Sequence, residues 1–185
     1  YGNLNSLNWK VASGLCIDDE NNLWVANVSG GICIYKNNNK IKEYKTLSKT
    51  VVFQNFIYVY KDKASNIWIS TDDGKLYKYE FKKKKFVAYE DFNEIRSIPI
   101  YHIFEDSRGN IWLSTDIGLL MFNPITGNKK FYTTKNSSIR DDNVRIVNED
   151  THGKIWVGTL GGGLGVFDEN FNLYNKNIVF FSDKK

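Results

Sequence analysis

The sequence is poor in the residues that mark fibrous, disulfide-stapled or membrane-spanning chains. Proline occurs twice and glycine 14 times in 185 residues, which excludes collagen-like and mucin-like classes. The two cysteines, Cys16 and Cys33, permit at most one internal bridge and no disulfide framework. Neither sits in a CxxC pair, and His102 and His152, the only histidines, lie far along the chain. No metal site is therefore expected, and the thiols read as free and mostly buried. The longest apolar or aromatic runs, such as Phe56-Ile57-Tyr58-Val59-Tyr60, fall far short of the roughly 18 residues of a membrane helix. Charge of one sign is scarce as well: 25 basic against 21 acidic residues leave +4, and the lysines are scattered apart from Lys82 to Lys85. A nucleic-acid partner would need a more focused basic stripe. The opening residues carry no basic, apolar and small-residue signal, as in a cytoplasmic protein or one whose export signal lies outside this sequence.

What the chain does have is aromatic residues, 15% of the total, and a hydrophobic fraction of 42% beside 25% charged. The balance suits a globular chain, and the aromatics favour strands. Four of the five tryptophans, Trp24, Trp68, Trp112 and Trp156, follow one another at intervals of 44 residues. Asp18, Asp62, Asp106 and Asp150 precede them by six positions, and Gly30, Gly74, Gly118 and Gly162 follow by six. Apolar pairs flank each indole: Leu23/Val25, Ile67/Ile69, Ile111/Leu113 and Ile155/Val157. Trp9 stands outside the register.

Each part of the repeat has a physical reason. Asp106-Ser107-Arg108-Gly109 places Asp first and Gly fourth, which suits a type I turn closed by a left-handed residue in a hairpin. Asn21, Ser65 and Gly153 hold the Gly position in the other copies. A short Trp-bearing strand follows, then a second tight turn such as Thr115-Asp116-Ile117-Gly118, and then a third strand. Strands at Phe56 to Lys61, Ile100 to Glu105 and Val144 to Glu149 precede the Asp turns, and a more variable fourth strand closes each unit. Apolar residues alternate or run in short blocks, without helical periodicity. Four-stranded antiparallel units at this period, apolar on both faces, predict an all-β fold of β-propeller type. The repeats fall at about 11–54, 55–98, 99–142 and 143–185, one partial propeller over 1–185.

The stretches Glu105-Asp106-Ser107-Arg108-Gly109-Asn110-Ile111-Trp112-Leu113-Ser114-Thr115 and Gly153-Lys154-Ile155-Trp156-Val157-Gly158-Thr159 resemble the two-component regulator propeller repeat. The copies at Trp24 and Trp68 depart from it, with Asn27 in place of Thr and Ser65 in place of Gly. The resemblance implies the extracytoplasmic sensor region of a bacterial hybrid two-component system, in which a propeller, typically seven-bladed, precedes a further β-domain, a membrane helix and a histidine kinase. It further implies a periplasmic location, a carbohydrate or glycan breakdown product as ligand, and membrane contact only through the parent chain.

Four repeats fill nearly all of the sequence, so the segment is either a four-bladed ring or an arc of a larger one. The arc is favoured, because Asn177-Ile178-Val179-Phe180-Phe181-Ser182-Asp183 reads like the opening strand of a fifth unit. Terminal blades of an arc expose apolar faces, so the isolated segment is expected to self-associate.

Three consecutive equal periods leave no room for a long loop carrying catalytic groups, and no catalytic residue or cofactor is expected. The repeated Asp residues read as turn caps rather than calcium ligands, and Lys82 to Lys85 as a solvated reversal. Propeller geometry gathers the turns between second and third strands, together with the links between blades, on one rim. The candidate ligand-binding residues there are Asn27, Asn55, Asp72, Asp73, Asp116, Arg140 and Asn143, with Tyr58, Tyr101 and Arg145 on inner strands. Aromatic faces and planar hydrogen-bonding groups suit a sugar. The alternatives are a propeller-type lyase or hydrolase and a protein-interaction platform.

Overall fold

The computed structural model describes residues 11–28, 31–45, 55–89 and 92–174. They form fifteen strands in four antiparallel sheets, each built from consecutive strands. The first sheet holds β1 (Ala12–Ile17), β2 (Leu23–Asn27), β3 (Gly31–Lys36) and β4 (Asn39–Tyr44). The second holds β5 (Phe56–Lys61), β6 (Ile67–Thr71), β7 (Leu76–Glu80) and β8 (Lys85–Ala88). The third holds β9 (His102–Glu105), β10 (Ile111–Ser114), β11 (Leu119–Phe122) and β12 (Lys129–Tyr132). The fourth holds β13 (Val144–Glu149), β14 (Ile155–Thr159) and β15 (Gly163–Phe167), with one bridge, Phe167 to Leu173, where its outer strand begins. This is the predicted β-propeller arrangement. The stretch read as a fifth opening strand, and Trp9, lie outside the described residues.

The blades form because each Trp-bearing strand is apolar on both sides and must be covered twice. In the third blade Ile111, Leu113, Leu120 and Phe122 turn toward the second, while Trp112, Leu119 and Met121 turn toward the fourth. Three cores follow, one between each pair of neighbouring blades. Every interior Trp meets an aromatic ring of the next blade: Trp24 on Tyr79 at 4.9 Å, Trp68 on Phe122 at 6.1 Å, and Trp112 on Phe171 at 5.4 Å between ring centroids. The innermost strands contact in the order β1, β5, β9, β13. Gly14 is what lets the first two approach, because a Cβ there would lie 2.9 Å from the Val59 backbone nitrogen.

The repeated Asp is the clasp of each blade. Asp106 accepts the Trp112 indole N–H at 2.9 Å, the Asn110 backbone and side-chain N–H groups at 2.9 Å each, and the Arg108 backbone N–H at 2.9 Å. Asp18, Asp62 and Asp150 hold Trp24, Trp68 and Trp156 in the same way at 2.7, 2.7 and 2.9 Å. The turn positions read as left-handed are so in all four copies, with φ of 61° at Asn21, 65° at Ser65, 77° at Gly109 and 73° at Gly153. Ser65 takes the strained conformation although it lacks the freedom of glycine. In the second turn the left-handed glycines are Gly31, Gly74, Gly118 and Gly163. In the first and last blades these come one residue after the glycine of the strict repeat.

Neighbouring blades are also joined by polar contacts at one repeat position. Glu105 accepts the Lys63 backbone N–H at 2.6 Å, and Glu149 accepts the Ser107 N–H at 2.6 Å and its hydroxyl at 2.8 Å. At the first interface the polarity is exchanged: Lys61 stands where the glutamates do and meets Asp19 at 2.5 Å.

Candidate functional site

The inner strands carry a bulge near their start. The register shifts between Ala12 and Gly14, between Phe56 and Tyr58, and between Val144 and Ile146, so Ser13, Ile57 and Arg145 are the extra residues. Bulges re-aim a side chain out of the pleat and are common beside functional sites. Tyr101 holds this repeat position in the third blade, its N–H bonded to the Ser114 carbonyl at 2.9 Å. The Arg145 guanidinium lies over the Tyr101 ring, 4.0 Å from its centroid. Two of the residues picked from the sequence, on adjacent blades, thus form one cation–π pair.

Asp116 and Asn143 join them. The Val144 N–H bonds the Thr115 carbonyl at 2.8 Å, which lays the link before β13 against the turn after β10. Asp116 Oδ1 and Asn143 Oδ1 are both buried without a hydrogen-bond partner among the described residues. Tyr101, Asp116, Asn143 and Arg145 therefore lie together at the inner rim where the third and fourth blades meet.

The other candidates are placed elsewhere. Asn55 and Asp72 bond each other at 2.6 Å on the second blade. Asp73 accepts the Thr71 hydroxyl and pairs with Lys75 at 2.7 Å, inside its own turn. Asn27 is buried and donates to the Val25 and Gly31 carbonyls. Arg140 is exposed and edges a cavity of about 10 Å³ with Val157, Thr159 and Gly163, room for about one water. Tyr58, on the second blade, comes nearest to the group, packing on the His102 ring at 4.7 Å.

His102 and Ser114 were not among the predicted binding residues, yet they adjoin this cluster, Ser114 through its carbonyl bond to Tyr101. They are register partners in the β9–β10 hairpin, and both His102 Nδ1 and Ser114 Oγ are buried and unpaired among the described residues. Burial pulls the imidazole down to about 4, so it is neutral at physiological pH. The signal was available in the sequence: antiparallel partners lie symmetrically about the turn, here about Arg108. His152 is exposed in its turn, its N–H capped by Asp150 at 2.8 Å. The repeated Asp residues are engaged in the clasps, Lys82 to Lys85 are exposed at the β7–β8 reversal, and both cysteines are free.

The fold and this rim define a β-propeller segment with a cluster of polar and aromatic residues at its inner edge. A family model described as "Two component regulator propeller" matches residues 94–116, which bears out the resemblance carried by the third repeat. Among curated proteins none matches the sequence. Among solved structures, the chain is similar to the extracellular domain of a protein described as the hybrid two component system BT3049 of B. thetaiotaomicron. That similarity has a TM-score of 0.78 and 29% identity, covering 94% of this chain and 23% of the other. The extracellular domain of BT4673 from the same organism matches with a TM-score of 0.73 and 20% identity over 87% of this chain and 24% of the other. Virginiamycin B lyase of Staphylococcus aureus matches with a TM-score of 0.68 and 17% identity over 90% of this chain and 56% of the other. At 20% and 17% identity these last two show the shared fold alone. The chain spans about a quarter of the length of the sensor domains it matches. Among the described residues no helix is long and apolar enough to cross a membrane.

Proposed function

We propose that this segment is part of the propeller of an extracytoplasmic sensor, which binds a carbohydrate or glycan breakdown product and signals to a histidine kinase in the same parent chain. The observation that carries the reading is the similarity over 94% of this chain to the extracellular domain of a hybrid two component system. The chemistry of the rim is in keeping with a sugar: a tyrosine ring, a guanidinium and amide and carboxylate side chains meet where the third and fourth blades join, residue types that pack on pyranose faces and hydrogen-bond hydroxyls. On this reading the parent protein sits in the inner membrane with this region in the periplasm, and the kinase relays the signal through a phosphorelay.

Binding alone does not signal. The ligand must favour one arrangement of the sensor over another, and it shifts the population only by its difference in affinity for the two. The test is calorimetric titration of the complete extracytoplasmic region with a panel of oligosaccharides, followed by kinase autophosphorylation with and without the binder. Saturable binding of one glycan class that changes autophosphorylation is the expected result. Absence of binding to every glycan would contradict the reading.

A further inference from the structure

The lysines that look scattered in the sequence are gathered by the fold. The outer half of the first blade, residues 31–45, carries Lys36, Lys40, Lys42 and Lys45 against Glu43, and that of the second, residues 76–89, carries Lys78 and Lys82 to Lys85 against Glu80. Nine bases thus stand beside two acids in a chain whose whole excess is +4, so the remainder of the chain is net acidic. The two edges touch: the Tyr44 hydroxyl lies 3.2 Å from that of Tyr79 and 3.5 Å from the Lys84 carbonyl, and the Lys42 ammonium lies over the Tyr44 ring, 4.7 Å from its centroid. Lys40 and Lys83 pair with Glu43 and Glu80 at 3.0 and 2.7 Å, whereas Lys82, Lys84 and Lys85 make no ion pair among the described residues. Phe81, its ring against Tyr79 at 4.9 Å, is 42% exposed beside them.

Two observations set this edge apart from ordinary edge protection, in which lysines keep open strands from pairing. Such protection would recur in every blade, yet the reversal of the fourth carries Asp168 and Glu169 and no lysine. Lys84 also holds a left-handed backbone, φ 49°, where the reversals of the first and third blades place Asn37, Asn38 and Gly127. A lysine is kept where its backbone is disfavoured. Exposed ammonium groups each add little to a discrete contact, so a free anion would be held weakly. A planar array of anionic headgroups gains from all of them at once, and an exposed aromatic among lysines adds apolar burial at the same surface.

We propose that the outer edge of the first and second blades docks on an anionic phospholipid surface, with Lys42, Lys82, Lys84 and Lys85 on the headgroups and Phe81 at the interface. This rests on the sensor reading above, in which the parent chain is anchored in a membrane and holds this edge within reach of it; it gives the segment a lipid contact of its own.

The test uses the complete extracytoplasmic region, free of glycan, with vesicles of phosphatidylcholine alone or mixed with phosphatidylglycerol. Co-sedimentation should be about tenfold or more stronger on the mixed vesicles, and it should fall steeply as salt rises from about 0.05 to 0.5 M. Lys82→Gln, Lys84→Gln and Lys85→Gln together should remove most of the preference, while the same change of charge at Lys129, Lys130 and Lys135 on the third blade should leave it. Phe81→Ser should weaken binding without altering its salt dependence. Circular dichroism of each variant establishes that it is folded. Equal partition onto both kinds of vesicle, or an unchanged preference in the folded triple variant at Lys82, Lys84 and Lys85, would overturn the proposal. So would tighter capture by polygalacturonate than by mixed vesicles at equal negative charge, which would assign the edge to an acidic polymer. Glycan titration of the same region reads the sensor proposal separately: failure on vesicles leaves glycan binding standing, and failure with every glycan leaves the vesicle result standing.

Discussion

The Asp–Trp clasp decides whether each blade holds. Asp106 is fully buried and accepts four bonds, including the Trp112 indole N–H. Asp106→Ala strands those donors, and the loss is ~3 kcal/mol, since each unsatisfied buried group costs about 1–3 kcal/mol and partial solvation recovers some of it. For a chain of this size that lowers Tm by roughly 6–12 °C. Asp150→Ala at the more exposed last clasp should lower it distinctly less, and equal losses in a thermal melt would contradict the burial argument. The clasps also set the acid limit. Burial would raise the Asp18 carboxyl, but the bonds from Trp24 and Asn22 outweigh it and hold it below the usual 3.8. The bond from Trp156 does the same for Asp150. A carboxyl lowered in the folded state stabilises fully above its unfolded pKa and loses that contribution as pH falls through the folded value. Tm should thus be flat above about pH 5 and fall progressively below about pH 4. A Tm that rose on acidification would contradict this. Of all features, these clasps were the most legible in the sequence, because a fixed spacing of six between Asp and Trp is local.

Strands and their neighbours were legible in a different measure. The turns, the alternation and the period located the strands to within one or two residues: the strand read from Ile100 begins at His102, and Phe56 to Lys61 is as read. The polar contacts between blades were not legible, because they join residues distant in sequence whose relation depends on wedge angle. The exchanged polarity at Lys61 and Asp19, against Glu149 and Ser107, is such a contact. Glu149→Ala should cost ~1 kcal/mol in urea unfolding, since two short bonds at a mostly buried carboxylate are lost. The double exchange Asp19→Lys with Lys61→Glu should leave stability unchanged, because an exposed ion pair contributes little and keeps its partner. A loss of the same size in both would show that the first interface is held by that pair. The bulge was equally hidden: nothing in the composition of β13 says that Arg145 is the extra residue that turns toward Tyr101. The candidate list thus contained four members of the cluster at the blade 3–blade 4 junction but scattered them among six others, and it omitted His102 and Ser114.

At the scale of the whole molecule, the first and last of the described blades leave apolar side chains uncovered on their outward sides. Leu15 and Ile17 are 66% and 53% exposed, whereas Val59, Ile103 and Val147, the equivalents of Leu15, are at most 1% exposed. At the other end Ile146 and Leu164 are 51% and 38% exposed, while Ile32, Leu76 and Leu119, which hold the Leu164 register, are buried. Apolar faces of this kind are covered in a complete stack. The isolated 185-residue segment should therefore self-associate in sedimentation experiments, and Leu15→Glu with Ile17→Lys should shift it toward monomer. Monomeric behaviour of the unaltered segment at high concentration would contradict the open-ended arc. The most direct measurement is a structure of the entire extracytoplasmic region that carries this segment. The account predicts further blades of the same chain seated on Leu15 and Ile17 at one end and on Ile146 and Leu164 at the other, in a ring of more than four blades. A ring closed by direct packing of the first blade on the fourth would contradict it.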